Sequence, residues 1–412
     1  MAMPRRARRL VRFVRSERRT LIQGFVALFI SSGGDLLAGL ALSFMDHQLQ
    51  ELPGLIVLIP AAIGMRGNIF GALGSRLGTG IHSGQFEPSL NRKSFLGQNA
   101  LGTWHLTLAT CLFLGPAAHL IATAFTGDAL SVADFITISI LGGTLGSVVV
   151  GGASVGIAMW SHRRRWDLDS VSAPLVTAIG DIATLPALWL ASIFVQRFGG
   201  ASPAVAITTA AFCLFETVRG LRSKLPLVRR IVRESMVVLL LAGLIDLLAG
   251  TVVDIRLEKF LALPALLILV PPFLEDTNAL AGILASRLGS KLHLGLIEPK
   301  SIPERLAWID IAINFVFATS VFFLVGFSAN LVAVVTHRGT PGFVLMIEIS
   351  MLAGFLATII SSAVAYYSAV ATFRFGWDPD NHSIPITSAI MDLAGTLCLI
   401  LVILLLGVTA HG

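Results

Sequence analysis

Long apolar runs alternate with short polar and basic stretches along the whole chain. A helix needs about 20 apolar residues to cross a bilayer, and on that measure the pattern predicts eleven spanning helices and an all-α integral membrane protein. The shortest predicted span, Val205–Val218, contains Glu216. The predicted spans are Leu21–Met45, Leu55–Gly80, Phe95–Phe125, Phe135–Trp160, Val171–Phe194, Val205–Val218, Val237–Val253, Leu261–Leu284, Ile309–Val335, Phe343–Phe373 and Ile384–Val408.

Two halves of the chain repeat one another in a constant register. The sequence Asp35–Gly39 recurs as Asp246–Gly250, and Ser75–Gly78 recurs as Ser286–Gly289, both at an offset of 211 (246 − 35 and 286 − 75). Such self-similarity indicates that one structural unit is used twice. The same offset carries Pro60 onto Pro271, Glu87 onto Glu298, Trp166 onto Trp377, Pro174 onto Pro385 and Asp181 onto Asp392.

The number of spans in each repeat predicts how the two copies are oriented. Each repeat accounts for five spans, so two copies joined directly would face opposite sides of the membrane. The additional helix around Val205–Val218 restores the first orientation, and we expect parallel repeats related by a pseudo-two-fold axis along the membrane normal. The predicted divisions are a basic tail at 1–19, a first five-helix repeat at 20–200, a connecting helix and basic loop at 201–227, and a second five-helix repeat at 228–412.

Charge and cysteine usage narrow the class of protein further. The net charge is +6, but the Lys and Arg residues fall in short clusters between spans rather than on one folded face, which argues against nucleic-acid binding. Because basic loops tend to stay in the cytoplasm, we expect a protein of the cell membrane with a cytoplasmic N-terminus and an extracytoplasmic C-terminus. Cys111, Cys213 and Cys398 are isolated in apolar segments and predict neither a disulfide framework nor a thiolate metal site.

Four aspartates lie inside the predicted spans. Asp35 and Asp246 are central in the first helix of each repeat, and Asp181 and Asp392 lie in the fifth. A charged side chain at mid-membrane costs about 2.5 to 3.5 kcal/mol and indicates a functional site. The predicted two-fold axis would bring Asp181 towards Asp392, where two carboxylates repel unless a cation or a proton lies between them. A structural role, in which each acid bonds a hydroxyl or an arginine of a neighbouring helix, is the alternative.

Further oxygen ligands accumulate on the same segments. Gly64–Asn68 follows Pro60, and Glu275–Asn278 follows Pro271 in the second copy. A proline with glycines one turn later can break a helix and turn carbonyl oxygens inward. Carboxylate, amide, hydroxyl and carbonyl oxygens without a thiolate suit a hard cation such as Mg²⁺. The candidate metal ligands are Asp35, Asn68, Thr177, Asp181, Asp246, Glu275, Asp276, Asn278, Ser388 and Asp392.

These motifs carry a resemblance to a known family. From about Leu21 to Val408, the chain resembles the membrane domain of the MgtE magnesium channels, and more closely their tandem-duplicated relatives, the magnesium solute carriers. The resemblance rests on short motifs and on a second copy of each at the same offset. In the first copy the motifs are Pro60, Gly67-Asn68, Ser75-Arg76-Leu77, Trp166-Asp167-x-Asp169, Pro174, Thr177 and Asp181.

The resemblance implies a cation pathway between the two repeats. MgtE channels are homodimers of five-helix subunits, with a pathway along the two-fold axis and an aspartate of each fifth helix at its centre. This chain would contain both halves itself, with Asp181 and Asp392 at the centre and Asn68 and Asn278 lining the pathway. A pseudo-dimer within one chain is compatible with a functional monomer.

The second copy departs from the first at the second helix. Under the offset of 211, Asn278 falls on Gly67 rather than on Asn68, which makes equal use of the two halves doubtful. Arg66 beside a cation pathway either lowers cation occupancy or pairs with Asp276 across the axis as part of a gate. No stretch resembles the cytoplasmic magnesium-sensing domains of the bacterial channels, so their gating cannot be transferred to this chain.

The sequence therefore predicts a transporter of divalent cations in the lipid bilayer, with Mg²⁺ as the transported substrate and no cofactor. Mg²⁺ gives up its water reluctantly, so we expect a largely hydrated ion in a wide site. Passive conduction and exchange against Na⁺ or H⁺ both fit the paired acids. An intramembrane enzyme is a remote alternative, because no nucleophile stands beside a base. The choice among Mg²⁺, Mn²⁺, Co²⁺ and Zn²⁺ stays open.

Overall fold

The computed structural model describes residues 18–164, 168–376 and 384–408, and all its regular elements are helical. The basic tail before residue 18 and the motif residues Trp166, Asp167, Trp377 and Asp378 lie outside these ranges. The α-helices are α1 (Arg18–Ser43), α2 (Asp46–Glu51), α3 (Leu55–His82), α4 (Phe95–Thr126), α5 (Val132–Arg164), α6 (Leu168–Phe198), α7 (Ser202–Leu221), α8 (Pro226–Asp254), α9 (Leu257–Ala262), α10 (Ala265–His293), α11 (Arg305–Val335), α12 (Phe343–Phe375) and α13 (Ile384–Leu405).

Each of the eleven predicted spans corresponds to one long helix of this series. By length and composition, nine stretches of the described residues can cross a membrane. One of the nine, Ala178–Leu221, combines α6 with α7, which are joined by the 3₁₀ turn Gly199–Ala201. α1 has a further apolar helical stretch at Leu28–Ser43. The prediction of an all-α, multi-pass membrane protein is thereby confirmed.

Equivalent helices of the two repeats make equivalent contacts. Ser139 of α5 donates a 2.7 Å hydrogen bond to the carbonyl oxygen of Cys111 on α4. Ser350 of α12 donates a bond of the same 2.7 Å length to the carbonyl oxygen of Phe322 on α11. Donor and acceptor are both related by the offset of the sequence repeat (350 − 139 = 322 − 111), so the internal duplication of the sequence is also a duplication of the fold.

The first helices are exchanged between the repeats. α1 packs against α10 of the second repeat, and α8 packs against α3 of the first. A β-carbon at Gly39 would overlap the carbonyl oxygen of Ile268, and one at Gly250 would overlap that of Val57. These two approaches are related by the same offset (250 − 39 = 268 − 57), as an isologous two-fold interface requires. The repeats are therefore interlocked and share one core.

One polar contact is repeated with a change of chemistry. Arg76 on α3 donates a 2.9 Å hydrogen bond to Asn99 Oδ1 on α4. At the equivalent place in the second repeat, Arg287 on α10 forms a 2.8 Å ion pair with Asp310 on α11. Lys291 pairs with the same carboxylate at 2.6 Å. The arginine of the second repeat thus bonds a carboxylate, while the contact of the first repeat is to a neutral amide.

The connecting helix α7 packs against the first repeat and carries a buried acid. It packs against α4 and α5, and its Glu216 is 7% exposed. The Glu216 carboxylate lies 2.9 Å from Arg219 Nη1 and 3.4 Å from Nδ1 of His105 on α4. Glu216, an acid inside the shortest predicted span, is therefore accounted for by contacts within the protein.

We predict that Gly39→Leu destabilises the protein by about 3 kcal/mol, because the added side chain must push α1 away from the backbone of α10. The matched control is Gly33→Leu on the same helix, where a β-carbon meets nothing within 4 Å. Thermal unfolding of the detergent-solubilised protein measures both. Equal midpoints for the two variants would contradict the close approach of α1 and α10.

A second prediction compares two glutamates that each pair with an arginine. Glu216→Gln should lower the free energy of unfolding by about 1–3 kcal/mol, because a buried acid of an established network is replaced. Glu234→Gln on α8 breaks the ion pair with Arg230, in which the Glu234 side chain is 39% exposed and the Arg230 side chain 69%. This substitution should change the free energy of unfolding by less than about 0.5 kcal/mol. Thermal unfolding measures both variants. An equal effect of the two substitutions would contradict a structural role of the buried Glu216.

Candidate metal centre at the junction of the repeats

Two buried acids of the first repeat lie side by side. Asp35 on α1 is 0% exposed, and Asp181 on α6 is 2% exposed. Their carboxyl groups are within hydrogen-bonding distance of each other. Ser31 donates a long hydrogen bond of 3.4 Å to Asp35 Oδ2. Among the described residues, Asp35 Oδ1 and Asp181 Oδ2 have no hydrogen-bond donor, so both oxygens can receive a proton or a cation.

The second repeat builds the same pair from its own helices. Asp246 on α8 and Asp392 on α13 are buried and within hydrogen-bonding distance of each other. Asn278 on α10 donates from Nδ2 to Asp392 Oδ1 at 2.8 Å, whereas no donor in the described ranges reaches either oxygen of Asp246. The first-repeat helix α3 approaches this pair at Gly64. A β-carbon there would lie 2.8 Å from Asp246 Oδ2 and 3.3 Å from Asp392 Oδ2, so the absent side chain leaves room for the two carboxyl groups.

α10 contributes two further acids beside the pairs. Asp276 is 0% exposed, and the Ser32 hydroxyl of α1 donates to it, with oxygens 2.7 and 2.9 Å away. Glu275 is half-buried and lies within electrostatic range of both Asp181 and Asp392. Asp181 and Asp392 also act on each other. The six acids, here called the central acid cluster, are Asp35, Asp181, Asp246, Glu275, Asp276 and Asp392.

The prolines do not break the helices that carry these residues. α3 runs without interruption from Leu55 to His82 through Pro60, and α10 is equally continuous through Pro271. The predicted helix break is therefore wrong. Each proline removes one backbone hydrogen bond from its helix, and close packing on neighbouring helices preserves the helical path. The oxygens of the site are supplied by side chains rather than by freed carbonyl groups.

Arg66 does not pair with Asp276. Its guanidinium group donates to backbone carbonyl oxygens of its own helix and of α5, while Asp276 is bonded to Ser32. The interpretation of these two residues as a gating ion pair is wrong for this structure, because they face different neighbouring helices.

The described side chains of two further predicted ligands, Asn68 and Ser388, are at least partly buried. Asn68 on α3 is 6% exposed, and its Nδ2 has no acceptor in the described part of the chain. Ser388 is half-buried on α13, one turn before Asp392. The side chain of Thr177 lies outside the described part.

Sequence reasoning missed Ser32, and it named Gly64 only as part of the segment after Pro60, without predicting its approach to the acids. The offset of the repeat carries Ser32 onto Gly243 and Gly64 onto Glu275. Ser32 has no serine at its equivalent position, and a search for matching positions therefore passes over it.

The cluster offers oxygen atoms to a cation without forming a compact cage. In the described ranges, no three His, Cys, Asp or Glu side chains converge closely enough to hold a metal ion directly. The oxygens without donors and the amides of Asn68 and Asn278 are hard ligands. Two buried carboxyl pairs of this kind need a proton or a cation between their members. The arrangement is chemically suited to hold a positive ion at the junction of the repeats.

Comparison with known proteins places the duplicated unit in a family. The MgtE family model, described as a divalent cation transporter, matches residues 59–191 and 270–402. The two matched segments differ by the offset of the repeat at both ends (270 − 59 = 402 − 191). They begin on α3 and α10 and end on α6 and α13, and each therefore includes the second to fifth helices of one repeat.

Curated relatives match over nearly the whole chain. Solute carrier family 41 member 3 of Rattus norvegicus is 24% identical, covering 94% of this chain and 87% of the relative. Member 2 of Gallus gallus is 24% identical, covering 91% and 68%, and member 2 of Homo sapiens is 24% identical, covering 92% and 69%. No solved structure matches the chain. The chain thus belongs to the MgtE family of divalent cation transporters and contains the family's membrane unit twice.

Proposed function

We propose that this protein transports divalent cations, with Mg²⁺ as the main substrate, along a pathway between its two repeats. The observation that carries the proposal is the central acid cluster, in which several buried carboxyl oxygens have no donor among the described residues. Membership of the family of divalent cation transporters supports the same conclusion. Asp181 and Asp392 are the central ligands, and Asp35 and Asp246 complete the two pairs.

The ligand chemistry favours Mg²⁺ that keeps most of its water. Mg²⁺ is bound in proteins through one or two carboxylates and several water molecules. Carboxylates from both repeats can accept hydrogen bonds from such a hydrated ion, while Asn68 and Asn278 add neutral oxygens. Many weak contacts suit transport, because an ion must leave the site as readily as it enters.

Exchange against a monovalent cation is the second candidate mechanism. It is favoured by the two carboxyl pairs, since each pair has its members within hydrogen-bonding distance and can hold H⁺ or Na⁺ when the divalent ion has left. We propose a single chain as the transporting unit, with repeats at 20–200 and 228–412. The distribution of basic loops favours a cytoplasmic N-terminus and an extracytoplasmic C-terminus.

We predict that Asp181→Asn combined with Asp392→Asn lowers Mg²⁺ uptake into proteoliposomes at least about tenfold, because the amides cannot attract a cation as carboxylates do. Folding should be kept, since two buried carboxyl groups are replaced by neutral side chains of the same size. Mg²⁺ should raise the unfolding temperature of the wild type but not that of the double variant, because only a bound ion stabilises the folded state. The control, Asp128→Asn, alters an exposed acid at the end of α4. Near wild-type flux in the folded double variant would remove the central-site proposal.

The coupling mode is decided by uptake into proteoliposomes with imposed gradients. Passive conduction predicts that Mg²⁺ flux follows only its own gradient and the membrane voltage. Exchange predicts accumulation against the Mg²⁺ gradient when an opposing Na⁺ or H⁺ gradient is present. If no divalent cation moves under any gradient, the proposed function fails while the fold and family assignment remain.

A further inference from the structure

Arg66 is a buried cation beside the proposed pathway, and nothing in the proposed function uses it. The residue is 4% exposed on α3, in a segment that packs against α6, the helix of Asp181. A guanidinium group remains charged when it is buried. The inference below rests on the proposed function, because it concerns the strength with which the site holds its ion.

The hydrogen-bond partners of Arg66 are neutral. Nη1 donates to the carbonyl oxygen of Ala62 at 2.8 Å, and Nη2 donates to those of Gly142 and Gly143 at 3.3 and 3.1 Å. Nε has no acceptor among the described residues. Part of the side chain borders a cavity of about 20 Å³, enough for roughly one water molecule, which Thr107 also lines. These contacts fix the position of the group without cancelling its charge.

The charge of Arg66 acts on Asp181. The two side chains lie within electrostatic range of each other, and in a low-dielectric interior such an attraction is screened only weakly. The carboxyl pair of Asp35 and Asp181 therefore has a permanent positive neighbour on the side of Asp181. Any mobile cation that binds this pair does so against the repulsion of that neighbour.

The second repeat has no such cation at the equivalent place. The offset of 211 carries Arg66 onto Thr277 (277 − 66), whose hydroxyl donates to the carbonyl oxygen of Phe273 at 2.7 Å. Asp392 instead receives a hydrogen bond from the neutral amide of Asn278. The two halves are thus alike in backbone and in their aspartates, yet at this position only the first half carries a fixed positive charge.

We propose that Arg66 is a tethered counter-cation of the Asp35 and Asp181 pair, which weakens divalent binding in the first half and thereby speeds release of the transported ion. Replacement of Arg66 by threonine, the residue at the equivalent position of the second repeat, should strengthen binding of the divalent cation. The consequence of that strengthening is slower release, because conduction requires an ion to be held only loosely.

The first test measures Mg²⁺ binding to the full-length purified protein by titration calorimetry. Arg66→Thr and Arg66→Gln should each bind Mg²⁺ about tenfold more tightly than the wild type, since a nearby positive charge is lost. Uptake at saturating Mg²⁺ should fall. Arg66→Lys keeps the charge and should stay within about twofold of the wild type in affinity. Unchanged affinity in both neutral variants, with Mg²⁺ transport intact, would overturn the inference and leave the proposed function standing.

A second test does not depend on ion binding. In Mg²⁺-free buffer, Arg66→Gln should lower the unfolding temperature, because the acids of the first half lose their compensating charge. Asp181→Asn should suppress this fall in unfolding temperature, while the matched variant Asp392→Asn should not. A cycle of single and double variants measures both couplings. If Arg66→Gln alone does not fold, recovery by Asp181→Asn supports the inference and failure to recover overturns it. Equal suppression by both aspartate variants would also overturn it, whether or not the protein transports Mg²⁺.

Discussion

The burial of several carboxyl groups in one small region of a membrane protein is the constraint on which the rest of this structure depends. Each charged acid loses its hydration there, and neighbouring acids repel one another. Among the described residues, hydrogen bonds relieve this cost in part, as from Ser32 to Asp276 and from Asn278 to Asp392. The surrounding helices must therefore hold together a region that is electrostatically unfavourable when no cation is bound.

The exchanged first helices supply that support. α1 and α8 bring Asp35 and Asp246 to the junction, and each packs so closely on the other repeat that only glycine fits at Gly39 and Gly250. Backbone contacts of this kind use van der Waals packing, which remains available between helices in lipid. The duplication also lets the two repeats diverge in chemistry on a shared backbone, as the pairs Arg76 with Asn99 and Arg287 with Asp310 illustrate.

Hydropathy and the repeat register predicted the long helices and the buried aspartates, because both follow from the cost of polar groups in lipid. The neighbours of each helix were not predictable in this way, since span positions do not specify which helix packs on which. That is why the bond from Ser32 to Asp276 and the approach of Gly64 to Asp246 were missed. The helix break predicted at Pro60 was wrong for a different reason. The effect of a proline depends on the packing around its helix, and a local sequence motif carries no information on that packing.

The exchange of first helices also governs the order in which the molecule can be completed. Gly39 and its contact at Ile268 lie in different halves of the chain, on α1 and α10. Synthesis and insertion proceed from the N-terminus, so α1 enters the membrane long before α10 exists. Until the second repeat is inserted, the face of α1 that packs against α10 is exposed to lipid. The carboxyl pair of the first repeat therefore gains its final surroundings only after the second repeat is inserted. The two halves are therefore completed against each other rather than docked as two finished domains.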